Sequence, residues 1–126
     1  MNSAAADTRP DRTAVARERP PPGTLVVSVE RRGAVVALNL SGDLDMATAP
    51  RVGEAMAWLR ASSGPGTTIV IDTTDVDFIA AAGYRAVRAS LVGPNHRWDS
   101  HVALIVGPAV ARLETAISAA SGRRQH

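Results

Sequence analysis

Five aspartates stand in two groups whose spacing could do chemistry: Asp43 with Asp45, and Asp72 with Asp75 and Asp77. Acidic side chains at the C-terminal ends of strands hold Mg²⁺ in several α/β folds, and phospho-accepting receivers use the same placement. Such a receiver also needs a lysine and a second acidic cluster, and the chain contains no lysine. The second group therefore reads as a solvated acidic loop, and no metal is expected. His96 and His101, with Asp99 between them, lack the fixed helical spacing of a metal pair. No Ser/His/Asp arrangement, nucleophile elbow or glycine-rich phosphate loop occurs. The expectation is a protein that is not an enzyme and takes no cofactor.

Composition narrows the classes further. The 126 residues suit one domain, and 45% hydrophobic content suffices for a core built from Ala, Val, Leu and Ile, since aromatics are only 3%. The absence of cysteine removes disulfides and thiolate chemistry together. No apolar run reaches the length of a membrane span and no apolar N-terminal signal is present, so a cytoplasmic location is expected. The net charge is +2 and all 14 basic residues are arginine, scattered along the chain with four aromatics, an arrangement that argues against direct nucleic-acid binding.

The residues that could carry function must be positioned by the elements around them. Residues 1–22 are rich in Ala, Arg, Asp and Pro without apolar periodicity, and are expected to form a disordered tail. A domain over residues 23–122 follows, and residues 123–126 read as a polar tail. Alternation of Leu25, Val27 and Val29 predicts a strand over 24–30, and Arg31-Arg32-Gly33 a turn. A second strand over 34–40, apolar on both faces apart from Asn39, should pair as a hairpin and be covered on both sides. Residues 41–47 read as a loop, with Thr48 as helix N-cap and Pro50 in the first turn. Ala49, Val52, Met56 and Leu59 form the buried stripe of a helix ending near Ser62, with Arg51 and Arg60 outside and Trp58 at its flank.

The stretch from Thr67 to Gly93 organises the rest. Ile69-Val70-Ile71 is a short strand ending in Asp72, and Thr73-Thr74-Asp75 a polar turn. A helix from Ala81, burying Tyr84, Val87 and Leu91, ends at Gly93-Pro94-Asn95. A strand feeding a helix N-terminus leaves the first helical N–H groups pointing outward, a common setting for a binding or partner-reading site. Here that setting holds Ala80-Ala81-Ala82-Gly83. His101–Val106 reads as a well-covered strand. A last helix buries Val110, Leu113, Ile117 and Ala120, with Gly122 as C-cap. The order β-β-α-β-α-β-α predicts an α/β domain with a mixed, mostly parallel sheet and helices packed against it.

Two motifs in this order resemble the STAS domain of bacterial anti-sigma factor antagonists. Phe78-Ile79-Ala80-Ala81-Ala82-Gly83-Tyr84 is similar to the family's F-I-D-S-S-G-L, and Leu40 to Pro50 to its L-x-G-E-L-D-x-x-T-A-P, with Asp43 for Glu. The resemblance runs from about Thr24 to Gly122 and implies a STAS-like fold with a shortened C-terminus, leaving one sheet edge or helix face less covered. It implies a partner, an anti-sigma factor of kinase-like fold, whose sequestration frees a sigma factor. The matching partner-binding residues are Asp43, Asp45, Thr48, Ala80, Ala81, Ala82, Gly83, Tyr84, Arg85 and Arg88. Asp45 either contacts the partner or organises its turn. In the family the serine matching Ala81 is phosphorylated by the partner kinase, adding about −2 charge that releases it. Alanine cannot take that phosphate, and Ala82 closes the neighbouring position. Thr74 is the alternative phosphoacceptor, with Thr73 beside it. A degenerate STAS scaffold, a homo-oligomer subunit, a partner of other STAS proteins or a small-ligand sensor is the competing reading.

Overall fold

The computed structural model describes residues 20–93 and 101–124. Residues 1–19, the Pro94–Ser100 loop with His96, Trp98 and Asp99, and the last two residues lie outside them. The element order is β1 (Leu25–Arg32), β2 (Val35–Leu44), α1 (Ala49–Ser62), β3 (Thr68–Ile79), α2 (Ala81–Ser90), β4 (Val102–Ile105) and α3 (Pro108–Arg124). This is the order that the sequence predicts. The strands form one sheet ordered β1-β2-β3-β4, antiparallel at β1–β2 and parallel at β2–β3 and β3–β4.

The core sits on one face of the sheet. Val36, Leu38, Leu40 and Leu44 of β2 and Ile69 and Ile71 of β3 are buried there. They cluster with Val52, Met56 and Leu59 of α1, with Val87 of α2, with Leu91 just beyond it, and with Val110 of α3. Each fully buried Leu, Ile or Val contributes about 1.5–3 kcal/mol, so this small-residue core is adequate without aromatics. The opposite face of β2 is not covered as expected: Val35 is exposed and Ala37, Asn39 and Ser41 are half-buried. One covered face, not two, explains why Asn39 is tolerated there.

Several boundaries differ from those predicted. β1 continues through Arg31 and Arg32, which pair with Val36 and Val35, so the turn falls on Gly33 and Ala34. β2 runs on through Ser41–Leu44, which are strand and not loop. Its irregular register with β3, shifting between Asn39 and Ser41 and again between Gly42 and Asp43, lets it bend and continue. β3 likewise runs unbroken to Ile79, so Thr73-Thr74-Asp75 is strand and not turn. Pairing with the lengthened β2 supplies the ladder that overrides the polar composition.

The second half shows three more corrections. α2 ends at Ser90, before Gly93, and buries Gly83, Val87 and Ser90, with Tyr84 half-buried. β4 is an edge strand with Ala103 and Ile105 exposed, because nothing pairs beyond it among the described residues. α3 buries Val110, leaves Leu113 half-buried and Ile117 exposed, and continues through Gly122 to Arg124. Its core contacts are Ala109, Val110 and Leu113, near its start; beyond them Ile117 is exposed and Ala120 is half-buried. On α1, Arg60 is half-buried and not outside: its guanidinium donates to the Ser90 carbonyl at 2.7 Å, tying α1 to α2.

Candidate functional site

The site is built where β2 and β3 end side by side. Leu44 pairs with Ile79, and the Ala80 N–H donates to the Leu44 carbonyl at 2.9 Å. One residue further along each chain, β2 enters the Asp45–Thr48 turn and β3 enters α2. The helix start is pressed onto the strand end by Gly83: a Cβ there would come within 2.7 Å of Leu44 Cγ and closer still to the Leu44 carbonyl oxygen. Only glycine fits that approach. The structure thus brings together the two motifs that the sequence analysis singled out.

Asp45 organises its turn. Its Oδ1 accepts from the N–H groups of Ala47 and Thr48, both at 3.0 Å, and its carbonyl accepts from Ala49 N–H at 2.8 Å. Asp45 thus holds the turn that leads into α1, and Thr48 stands at the helix N-cap position as predicted, without a side-chain cap bond. Thr48 is buried with helical backbone and makes no capping bond to α1. Its hydroxyl faces back into the turn, donating to the Asp43 carbonyl and accepting from the Asp45 N–H, each at 2.9 Å. Asp43 is half-buried and accepts from Gly23 N–H at 2.8 Å. Gly42, at φ +111°, would place a Cβ 2.9 Å from Pro20. Pro20 and Gly23 therefore lie against the end of β2.

On the α2 side, Ala81 is exposed at the first helical position, Ala80 and Ala82 are half-buried, and Ala80 offers no side-chain cap. The rim of this turn is methyl groups and backbone, without a hydroxyl or a charge. Tyr84 turns toward α3, where its hydroxyl donates to Glu114 Oε2 at 3.0 Å. Desolvation, reinforced by the Glu114 carboxylate, raises its pKa above 10.0, against a smaller opposing pull from Arg88. Arg85 and Arg88 are exposed further along α2.

The threonines separate cleanly. Thr73 is wholly buried; its hydroxyl donates to the Ile105 carbonyl at 2.7 Å and accepts from Gly107 N–H at 2.9 Å. It joins β3 to the β4–α3 connection and has no access for a kinase. Thr74 is exposed, its N–H donating to Asp72 Oδ1 at 2.9 Å. Asp75 and Asp77 are exposed beyond it, and among the described residues no three His, Asp or Glu converge on one point. No helix among them is long and apolar enough to cross a membrane.

Two further residues of these motifs, outside the predicted partner-binding set, are exposed apolar side chains at this end. Met46, in the turn after Asp45, is 77% exposed, and Phe78, beside Asp43 in the β2–β3 register, is 54% exposed. In their motif Phe78 and Ile79 stand together ahead of the helix, with nothing to tell which faces the core. The lengthened β3 turns Ile79 inward and Phe78 out.

No protein-family model matches the chain, and no curated protein matches it. Among solved structures, an anti-sigma factor antagonist from Mycobacterium paratuberculosis aligns with TM-score 0.60 and 25% identity, over 82% of this chain and 86% of that one. The antagonist SpoIIAA in its unphosphorylated form aligns at TM-score 0.46 and 16% identity, over 77% and 99% of the two chains. A STAS-domain antagonist from Rhodobacter sphaeroides aligns at TM-score 0.45 and 16% identity, over 66% and 87%.

Proposed function

By its fold the chain is a STAS domain, and on that premise we propose that it works as an anti-sigma factor antagonist. It binds an anti-sigma factor of kinase-like fold and so frees a sigma factor for transcription, in the cytoplasm and without catalysis of its own. The observation that carries this reading is the joining of the Asp43–Thr48 turn to the Ala80–Gly83 turn by the Ala80–Leu44 hydrogen bond and the Gly83 contact. The pair makes one continuous surface at the end of the sheet, flanked by Arg85 and Arg88.

The surface is not switchable at its centre. Ala81 is exposed where a phosphate would be added, and its methyl cannot accept one. Control then rests on the amount of protein or of partner. Incubation with the partner kinase and ATP leaves residues 80–83 without phosphate; phosphate found there contradicts this part of the reading.

The uncovered sheet face favours a second reading. Val26, Val35 and Ile105 are exposed on it, as befits a subunit of a larger STAS assembly. Light scattering of the purified chain separates the two: an antagonist that works alone runs as a monomer, and an assembly subunit does not.

A further inference from the structure

A third chain segment reaches the end of the sheet where the two motif turns meet. β1 runs antiparallel to β2, so its first residues lie beside the last residues of β2, with Leu25 paired to Gly42. The residues leading into β1 form a tight turn. The N–H and the hydroxyl of Thr24 both donate to the Pro21 carbonyl, with Pro22 and Gly23 at the central positions. Gly23 has φ +81°, the left-handed value that the second central position of a type II turn requires. Pro21 and Pro22 are exposed.

Asp43 joins this turn to the next one. Its N–H donates to the Thr24 carbonyl and its Oδ2 accepts from the Gly23 N–H, both at 2.8 Å. Its own carbonyl accepts from the Thr48 hydroxyl at 2.9 Å. One residue earlier, a Cβ at Gly42 would stand 2.5 Å from the Thr24 carbonyl oxygen and 2.9 Å from Pro20 Cγ, so the close approach of the turn is built into β2. The bond from Gly23 needs an acceptor oxygen at Asp43, and an asparagine oxygen fills the same place. The Thr24 hydroxyl and the Gly23 N–H are spent within these bonds. What the turn offers outward is its pair of proline rings, whose fixed φ leaves little freedom to lose when a partner covers them.

We propose that Asp43 is a positioning residue: it holds the Pro20–Thr24 turn as the third wall of the surface that binds the anti-sigma factor, and does not itself touch that partner. Pro21 and Pro22 then meet an apolar patch of the anti-sigma factor. This rests on the antagonist reading above. The Pro20–Thr24 turn lies on the β1 side of the Asp43–Thr48 turn, and the Ala80–Gly83 turn on its β3 side. Neighbouring strands lie about 4.8 Å apart, so the three turns span about 10 Å, well inside a protein contact of about 800 Å² per partner. A partner centred on the middle turn covers all three.

The test measures binding of the full chain to the purified kinase-fold anti-sigma factors of the organism that encodes it. It is run well below every variant's thermal midpoint, so that a loss of global stability does not register. Asp43→Ala releases the turn and weakens the complex about tenfold or more. Asp43→Asn keeps the acceptor and binds within about twofold of the wild type, with the same salt dependence. Pro21→Ser with Pro22→Ser weakens binding severalfold in the wild-type background and adds nothing in the Asp43→Ala background, as residues that act through one another require. Should Asp43→Ala not fold, Asp43→Asn and the proline variant carry the test. Binding lost in Asp43→Asn as in Asp43→Ala marks the carboxylate charge as a direct contact; it overturns the proposal and leaves the antagonist reading standing. Additive losses do the same, as does wild-type binding with Asp43→Ala or the proline variant within about twofold of it. A wild-type chain that binds none of these factors overturns both.

Discussion

Gly83 and Leu44 touch more closely than any side chain would allow. The space a Cβ would need at Gly83 is taken by the carbonyl of Leu44, with its Cγ at 2.7 Å. That contact seats the first turn of α2 on the end of β2 and brings the Asp45–Thr48 and Ala80–Gly83 turns together.

Substituting Gly83 with alanine sets two effects against each other. Helix propensity favours alanine by about 1 kcal/mol. The obstruction is mostly backbone, which cannot rotate aside, and overpacking costs about 1–3 kcal/mol. The clash wins. Gly83→Ala should lower the thermal midpoint by several degrees and weaken partner binding more than Gly53→Ala, where nothing lies within 4 Å. Equal midpoints for the two variants would show that the approach is not tight.

Asp45 combines a structural and a proposed recognition role, and substitution separates them. Asp45→Ala removes the acceptor for the Ala47 and Thr48 N–H groups and should cost about 1 kcal/mol. Asp45→Asn keeps that acceptor and most of the stability while deleting the charge. Binding lost in Asp45→Asn with an unchanged denaturation midpoint marks the carboxylate as a contact.

Tyr84 is the only tyrosine, so tyrosinate absorbance reports on it alone. Its pKa is raised in the folded chain, so the native state holds the proton more tightly than the unfolded state. The stabilisation is complete below the unfolded value near 10 and is lost as pH rises through the folded value. The absorbance titration should therefore have its midpoint above 10, as the raised pKa requires. Tyr84→Phe should flatten the alkaline loss of stability, and an unshifted titration would show that neither the burial of the phenol nor its Glu114 contact persists in solution.

Thr73 predicts a buried polar cost. Thr73→Val keeps the shape but leaves the Ile105 carbonyl and the Gly107 N–H without their partner. The loss should be about 1–3 kcal/mol, measured by denaturant unfolding, and Thr73→Ser should recover most of it.

Much of this architecture was legible in the chain. The period of Ala49, Val52, Met56 and Leu59 predicts the buried stripe of α1, and the structure buries all four. The seven-element order followed from alternating strand and helix patterns. Strand length was not legible, because Gly42-Asp43 and Thr73-Thr74-Asp75 carry turn chemistry locally and are held as strand only by pairing with each other's strands. Thr48 stands at the N-cap position that its residue type predicts, but its hydroxyl is drawn back to the Asp43 carbonyl and makes no cap bond, which local sequence does not reveal. Phe78 was hidden by the same lengthening, since its face depends on where β3 stops alternating.

The central claim is that the joined turns bind an anti-sigma factor at a site centred on Ala81. It is tested most directly by calorimetric titration of the wild-type chain and Ala81→Glu with the purified kinase-fold anti-sigma factor. Glutamate in the first turn suits the positive end of α2, so the fold is retained while a charge stands where the family's phosphate would. The account predicts a one-to-one complex for the wild type and a loss of affinity of about tenfold or more for Ala81→Glu. Equal binding by both would place the contact elsewhere on the domain and contradict the account.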